Sequence, residues 1–149
     1  QPGMLKYTSF EAFPVSSEAM IRAQSRFVEL EEVASEFAQY WQCGATEIEL
    51  PDLRFRLIKG DARLTVPVWD GCADAWFLDG FSPAKNPEMW QNDLLAAVGT
   101  HSAANATLAT FTAAGVVRRR LTYAGFSVAR SSGFGRKRHM TTARLEVAL

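Results

Sequence analysis

Residues 73–78 read ADAWFL, a run that is apolar at nearly every position and stops at Asp79-Gly80. A strand with one wet face alternates apolar and polar side chains. A run apolar on both faces suits a central parallel strand with helices on either side. Parallel neighbours cannot be joined by a tight turn, so such a strand commits the chain to crossover connections. Other segments agree with that commitment. LKYTSF (5–10), LRFRLI (53–58) and ATLATFT (106–112) are further extended runs. Residues 87–98 carry helix signals, with Asn86 as a candidate cap and Pro87 in the first turn, and 116–123 read as a helix closed by Gly125. Strands alternating with helices in this order predict an α/β fold.

Residues 18–41 contain no Pro or Gly and keep a mostly helical apolar spacing, which predicts two helices with a bend near Glu29 behind a cap at Ser16 or Ser17. Their acidic composition suits an outer helical layer or lid better than a cofactor site. Residues 47–50 and 53–58 read as two extended pieces joined at Pro51-Asp52. Alternation in the second puts Leu53, Phe55 and Leu57 on one face and Arg54 and Arg56 on the other. Phe126 to Arg130 and Met140 to Val147 are expected as the last strands.

With 149 residues, 48% hydrophobic and 21% charged, the chain has the composition of a globular domain with a real core. No apolar run approaches the ~20 residues that span a bilayer, and QPGMLKY has no secretory pattern. Cys43 and Cys72 have no ligand spacing around them. Free thiols in a reducing compartment are expected, with a single bridge as the alternative, and the expected location is cytoplasmic. His101 and His139 have no Cys, Asp or Glu at ligand spacing, so no metal site is expected.

Charge is balanced overall and divided along the chain. Residues 1–115 hold 8 Lys+Arg against 15 Asp+Glu, whereas residues 116–149 hold 8 against 1. Arg118, Arg119 and Arg120 form one basic cluster, and Arg136, Lys137 and Arg138 follow Gly133-Phe134-Gly135 in another. An excess of this size is a candidate phosphate-binding face; a solvated helix end and a charged hairpin turn would read the same way.

In an open parallel sheet, ligands lie beyond the carboxyl ends of the strands. Three acidic residues fall there: Glu11 after LKYTSF, Asp61 after LRFRLIK and Asp79 after ADAWFL. Glu11 suits two ribose hydroxyls, Asp61 an adenine amino group and Asp79 a substrate amine; a helix cap or a loop salt bridge is the structural alternative for each. Phe81, Pro83, Lys85 and Asn86 follow Asp79 in a loop stiffened by Pro83 and Pro87, and a stiff loop costs less to order around a ligand. Phe81 and Trp90 offer flat surfaces to a base, although Trp90 also suits the core side of its helix. No GxGxxG, Walker or GxSxG pattern occurs, which weighs against a nicotinamide oxidoreductase and a serine hydrolase.

The segments DAWFLDGFSPAKNPEMW (74–90), LATFTAAGVVRRRLTYAGF (108–126) and GFGRKRHM (133–140), with FEAFP around Glu11, closely resemble the methyltransferase domain of the bifunctional tRNA 5-methylaminomethyl-2-thiouridine biosynthesis (MnmC) family. The resemblance covers most of the chain. It implies a Rossmann-like class I S-adenosyl-L-methionine-dependent methyltransferase acting on the exocyclic amine of 5-aminomethyl-2-thiouridine at the tRNA wobble position. It further implies Glu11 at the cofactor ribose, Asp61 near the adenine, and Asp79 as a catalytic carboxylate on the cofactor side, beside the transferred methyl. Phe81, Pro83, Lys85 and Asn86 then lie on the substrate side. Arg118–Arg120 and Arg136–Arg138 would meet tRNA. FAD enters only with an oxidase module, fused or separate.

The same resemblance implies the strand order 3-2-1-4-5-7-6 and a first strand with a Gly-rich turn, whereas this chain opens almost at the second strand. The expectation is therefore one methyltransferase domain over 1–149, an N-terminally incomplete segment of a longer chain. Strands 2 and 4 would each have an unpaired edge, and a dimer could satisfy such edges. A non-catalytic RNA-binding module, or an inactive fragment of such an enzyme, is the alternative function.

Overall fold

The computed structural model describes residues 3–135 and 137–146. The chain divides into two compact units, Gln1–Asp61 and Ala62–Leu149, each with its own sheet.

In the first unit β1 (Leu5–Glu11) leads through α1 (Ser17–Gln24), a 3-10 turn (Val28–Leu30) and α2 (Glu31–Gln42) to β2 (Glu47–Glu49) and β3 (Leu53–Lys59). The break between the two helices includes the 3-10 turn that holds Glu29, where the apolar spacing suggested a bend. Ser16 caps α1 by accepting the Ala19 N–H at 3.2 Å. β1 and β3 run parallel in register from Leu5↔Leu53 to Glu11↔Lys59, and β2 joins β3 antiparallel, giving the order β1-β3-β2. Opposite charges face each other across the antiparallel pair, Glu47 against Arg56 and Glu49 against Arg54, which agrees with the hairpin register. The Glu49 carboxylate accepts from Arg54 and holds that guanidinium above its ordinary pKa.

The alternation in β3 is realised: Phe55 and Leu57 are buried with Ile48 and Leu50, while Arg54 and Arg56 are exposed. Phe37 and Trp41 of α2 pack on this cluster, Phe37 edge-on to Phe55 at 5.2 Å between ring centroids. Each such side chain contributes about 1.5–3 kcal/mol when fully buried. The Trp41 indole N–H donates to the Val15 carbonyl at 3.0 Å, tying α2 to the segment that follows β1. The acidic helical insert is thus an outer layer on its own sheet.

In the second unit α3 (Ala62–Thr65), β4 (Ala73–Phe77), a 3-10 turn (Pro87–Trp90), α4 (Asn92–Thr100), β5 (Ser102–Thr110), α5 (Gly115–Tyr123), β6 (Phe126–Ser132) and β7 (His139–Leu145) follow in order. Their sheet has the order β4-β5-β7-β6, with β4 and β5 parallel and β7 antiparallel to both β5 and β6. This is the 4-5-7-6 arrangement that the resemblance implies for the later strands. Within their own sheets β1 and β4 are end strands among the described residues.

Three local expectations are corrected. β4 is not covered on both faces: Trp76 is buried, but Phe77 is 73% exposed. Trp76 pairs in register with buried Leu108 and meets Trp69 edge-on at 5.7 Å between ring centroids, and strand alternation turns Phe77 to the opposite side. The helix expected over 87–98 is broken at Gln91, whose backbone is extended (φ −73°, ψ 161°), and Asn86 forms no side-chain cap. The Trp90 carbonyl accepts from Arg120, and α4 resumes with the Leu95 N–H on the Gln91 carbonyl. β5 starts at Ser102, earlier than its apolar run, because the register shifts within β4–β5 and Asn105 takes a positive φ of 63°. No helix among the described residues is long and apolar enough to cross a membrane.

Candidate functional site

The first unit brings Glu11 and Asp61 to one rim. Glu11 closes β1, and Lys59 opposite it closes β3, so the carboxyl ends of two parallel strands lie side by side. The Gly60 N–H donates to the Glu11 carbonyl at 3.0 Å and turns the chain into Asp61. Gly60 has φ 142°, a backbone region that L side chains rarely adopt, so a glycine is required between strand and acid. Glu11 is exposed and accepts the Ser9 hydroxyl at 3.2 Å on one oxygen; Asp61 is half-buried. Two acceptor carboxylates at one rim fit a ligand that offers hydroxyl and amino donors, as the ribose and adenine of an adenosyl group do.

The second unit places Asp79 just beyond β4. The Leu78 N–H still donates to the Ala109 carbonyl at 2.9 Å, so Asp79 is the first residue past the parallel ladder, and it is exposed. The loop after it is shaped by Trp90, which is only 1% exposed. The Trp90 indole donates to the Phe81 carbonyl at 2.8 Å, and its ring lies so close to Gly80 that an added Cβ would sit 3.2 Å from Cζ2. The Lys85 and Asn86 N–H groups both donate to the Ser82 carbonyl and close the turn. Phe81 is 74% exposed, Lys85 is exposed, and Pro83 and Asn86 are half-buried. The core-side reading of Trp90 is the one the structure adopts.

The basic clusters reach the same end of this sheet by two routes. Thr141, near the start of β7, pairs with Thr110 at the end of β5, so the β6–β7 hairpin turns beside the carboxyl end of β5. The Lys137 ammonium lies 5.4 Å from the centroid of the Phe111 ring, and Lys137 and Arg138 are exposed. Arg136 lies outside the described residues. α5 begins at that rim too. Arg118 and Arg119 converge over its first residue: a Cβ on Gly115 would meet Arg119 Nη1 at 3.4 Å and Arg118 Nη2 at 3.9 Å. With Thr122 and Val128 they line a shallow groove between α5 and β6. Arg120 points elsewhere, its Nη1 donating to the Trp90 carbonyl at 2.7 Å.

Some residues that build this rim were not singled out from the sequence. Thr141 is fully buried and donates to the Thr112 carbonyl at 2.7 Å, while the Thr112 hydroxyl accepts the Ala114 N–H at 3.3 Å. These bonds set the turn from β5 into α5; hydroxyls inside otherwise apolar strands were the available signal. Cys43 and Cys72 are free and exposed, and no cluster of three metal-ligating side chains occurs among the described residues. His101 hydrogen-bonds the Gly71 carbonyl through Nδ1 at 3.1 Å, a structural role.

Comparison with known proteins adds to this geometry. Residues 28–146 match the family described as S-adenosyl-L-methionine-dependent methyltransferase. The tRNA 5-methylaminomethyl-2-thiouridine biosynthesis bifunctional protein MnmC of Caulobacter sp. (strain K31) is 48% identical over 140 residues, covering 91% of this chain and 23% of that protein. The protein of the same name from Caulobacter vibrioides is 46% identical over 146 residues, covering 95% and 25%. The chain thus spans about a quarter of the length of these curated relatives. Among solved structures, MnmC2 from Aquifex aeolicus superposes with a TM-score of 0.77 at 27% identity, covering 98% of this chain and 45% of that one.

Proposed function

The chain belongs to the S-adenosyl-L-methionine-dependent methyltransferase family, and from that premise we propose that it methylates the exocyclic amine of 5-aminomethyl-2-thiouridine at the tRNA wobble position. The observation that carries this reading is the place of Asp79: an exposed carboxylate at the end of a parallel strand, followed by a loop pinned to a buried tryptophan. The names of the Caulobacter relatives supply the substrate class.

Glu11 takes the ribose hydroxyls and Asp61 the adenine amine. When bound, S-adenosyl-L-methionine would supply its sulfonium methyl as the electrophile for a neutral amine, the C–S bond breaking so that the sulfur leaves as a neutral thioether. Asp79 accepts a hydrogen bond from that amine and aims its lone pair, and most of its effect is orientation. Asp79 also takes the proton the amine loses, directly or through water. An ammonium has no lone pair to aim, so the rate rises with pH until the substrate amine is neutral. Phe81 stacks on the wobble base, with Pro83, Lys85 and Asn86 on the substrate side. Arg118, Arg119, Lys137 and Arg138 meet tRNA phosphates. The chain acts as a methyltransferase domain, with an FAD-dependent oxidase module fused or separate, in the cytoplasm.

The test is single-turnover transfer of a labelled methyl to tRNA carrying 5-aminomethyl-2-thiouridine, with tRNA lacking the aminomethyl group as control. Label is expected only in the first. Asp79→Ala should lower the rate about 100-fold while S-adenosyl-L-methionine binding, measured by calorimetry, persists. Undiminished transfer by this variant would remove Asp79 from the mechanism.

A further inference from the structure

Three consecutive arginines on a helix cannot all face the same way. Successive side chains are rotated by about 100°, so Arg118, Arg119 and Arg120 fan over more than half the circumference of α5. Arg118 and Arg119 meet over Gly115 at the groove, and Arg120 turns to the opposite neighbour. Its Nη1 donates to the Trp90 carbonyl at 2.7 Å, and Trp90 in turn donates its indole N–H to the Phe81 carbonyl at 2.8 Å. Trp90 is 1% exposed and lies against Gly80, so it has little room to shift. A continuous path of contacts runs from α5 to the two residues directly after Asp79.

We propose that Arg120 is a positioning residue, which through Trp90 fixes the loop that carries Asp79 and Phe81, and that it is not a nucleic-acid contact. The assignment rests on the reading that Asp79 works at the substrate amine. Between the Leu78 N–H on β5 and the turn at Ser82, the Trp90 indole is the hydrogen-bonded anchor of this loop among the described residues. Asp79 and Phe81 are themselves exposed, so their aim depends on the backbone beneath them. Arg120 suits the task because its fork donates to a carbonyl in a fixed plane, whereas a lysine offers one mobile point charge.

The test uses the full-length protein with Arg120→Gln, Arg120→Lys and Trp90→Phe, and three readouts. Hydrogen exchange of the 79–83 amides should speed up in Arg120→Gln and Trp90→Phe while the amides of β5 stay protected. Single-turnover methyl transfer should fall about tenfold in Arg120→Gln, with KM for tRNA changed less than about twofold and partial recovery in Arg120→Lys. The slope of tRNA affinity against salt should stay as in the unaltered protein. Unchanged exchange in the loop, or a salt slope reduced by about one phosphate contact, would overturn the assignment. Absence of methyl transfer by the unaltered protein would instead overturn the proposed reaction, and the exchange measurement would still decide whether Arg120 fixes the loop.

Discussion

At the scale of single residues, Gly80 shows how close packing and function meet. A Cβ there would lie 3.2 Å from the Trp90 ring, tighter than ordinary van der Waals contact. Whether an alanine is tolerated depends on whether that ring can retreat. It is buried, its indole N–H is bonded to Phe81, and its backbone carbonyl is bonded to Arg120. Gly80→Ala is therefore expected to cost about 1–3 kcal/mol, seen as a lower denaturant midpoint. An unchanged midpoint would mean that the ring is less constrained than these bonds indicate. The acids themselves were legible in the sequence because each follows an apolar or β-branched run. Arg120 was not legible, because a string of arginines looks the same whether a member faces water or a carbonyl.

At the scale of elements, α5 divides its labour by side. Its apolar residues Val117 and Leu121 are fully buried, Arg120 leans toward the turn before α4, and Arg118 and Arg119 line the groove beside β6. On the proposed reading these last two, and not Arg120, meet phosphate. Replacing both with glutamine should reduce the slope of log tRNA affinity against log salt by about 1.4, from ~0.7 per single-stranded contact. A slope equal to that of the unaltered protein would take α5 out of the tRNA surface and leave the hairpin residues Lys137 and Arg138. The break between the 3-10 turn at Pro87–Trp90 and α4 was hidden in the sequence. Apolar spacing continues across it, and at the break the Trp90 carbonyl accepts from a side chain of a distant segment, Arg120.

At the scale of the whole molecule, each unit's sheet has end strands among the described residues. Among the described residues β1 and β4 have a neighbour on one side only within their sheets, and Phe77 on β4 is 73% exposed. Free edges with apolar neighbours favour association. The isolated 149-residue chain should self-associate with rising concentration in sedimentation velocity, and Phe77→Lys should weaken that association. A monomer at every concentration would refute this.

The sequence by itself determined most of the strands and helices, the alternating strand–helix order and the place of the acids at strand ends. These depend on side-chain period and turn chemistry, which act over a few residues. Tertiary structure alone decided that β4 has one bare face, that Trp90 turns inward, and that of three adjacent arginines one holds a loop and two line a groove. Those outcomes depend on which distant backbone groups arrive beside a side chain, and local pattern carries no record of such arrivals.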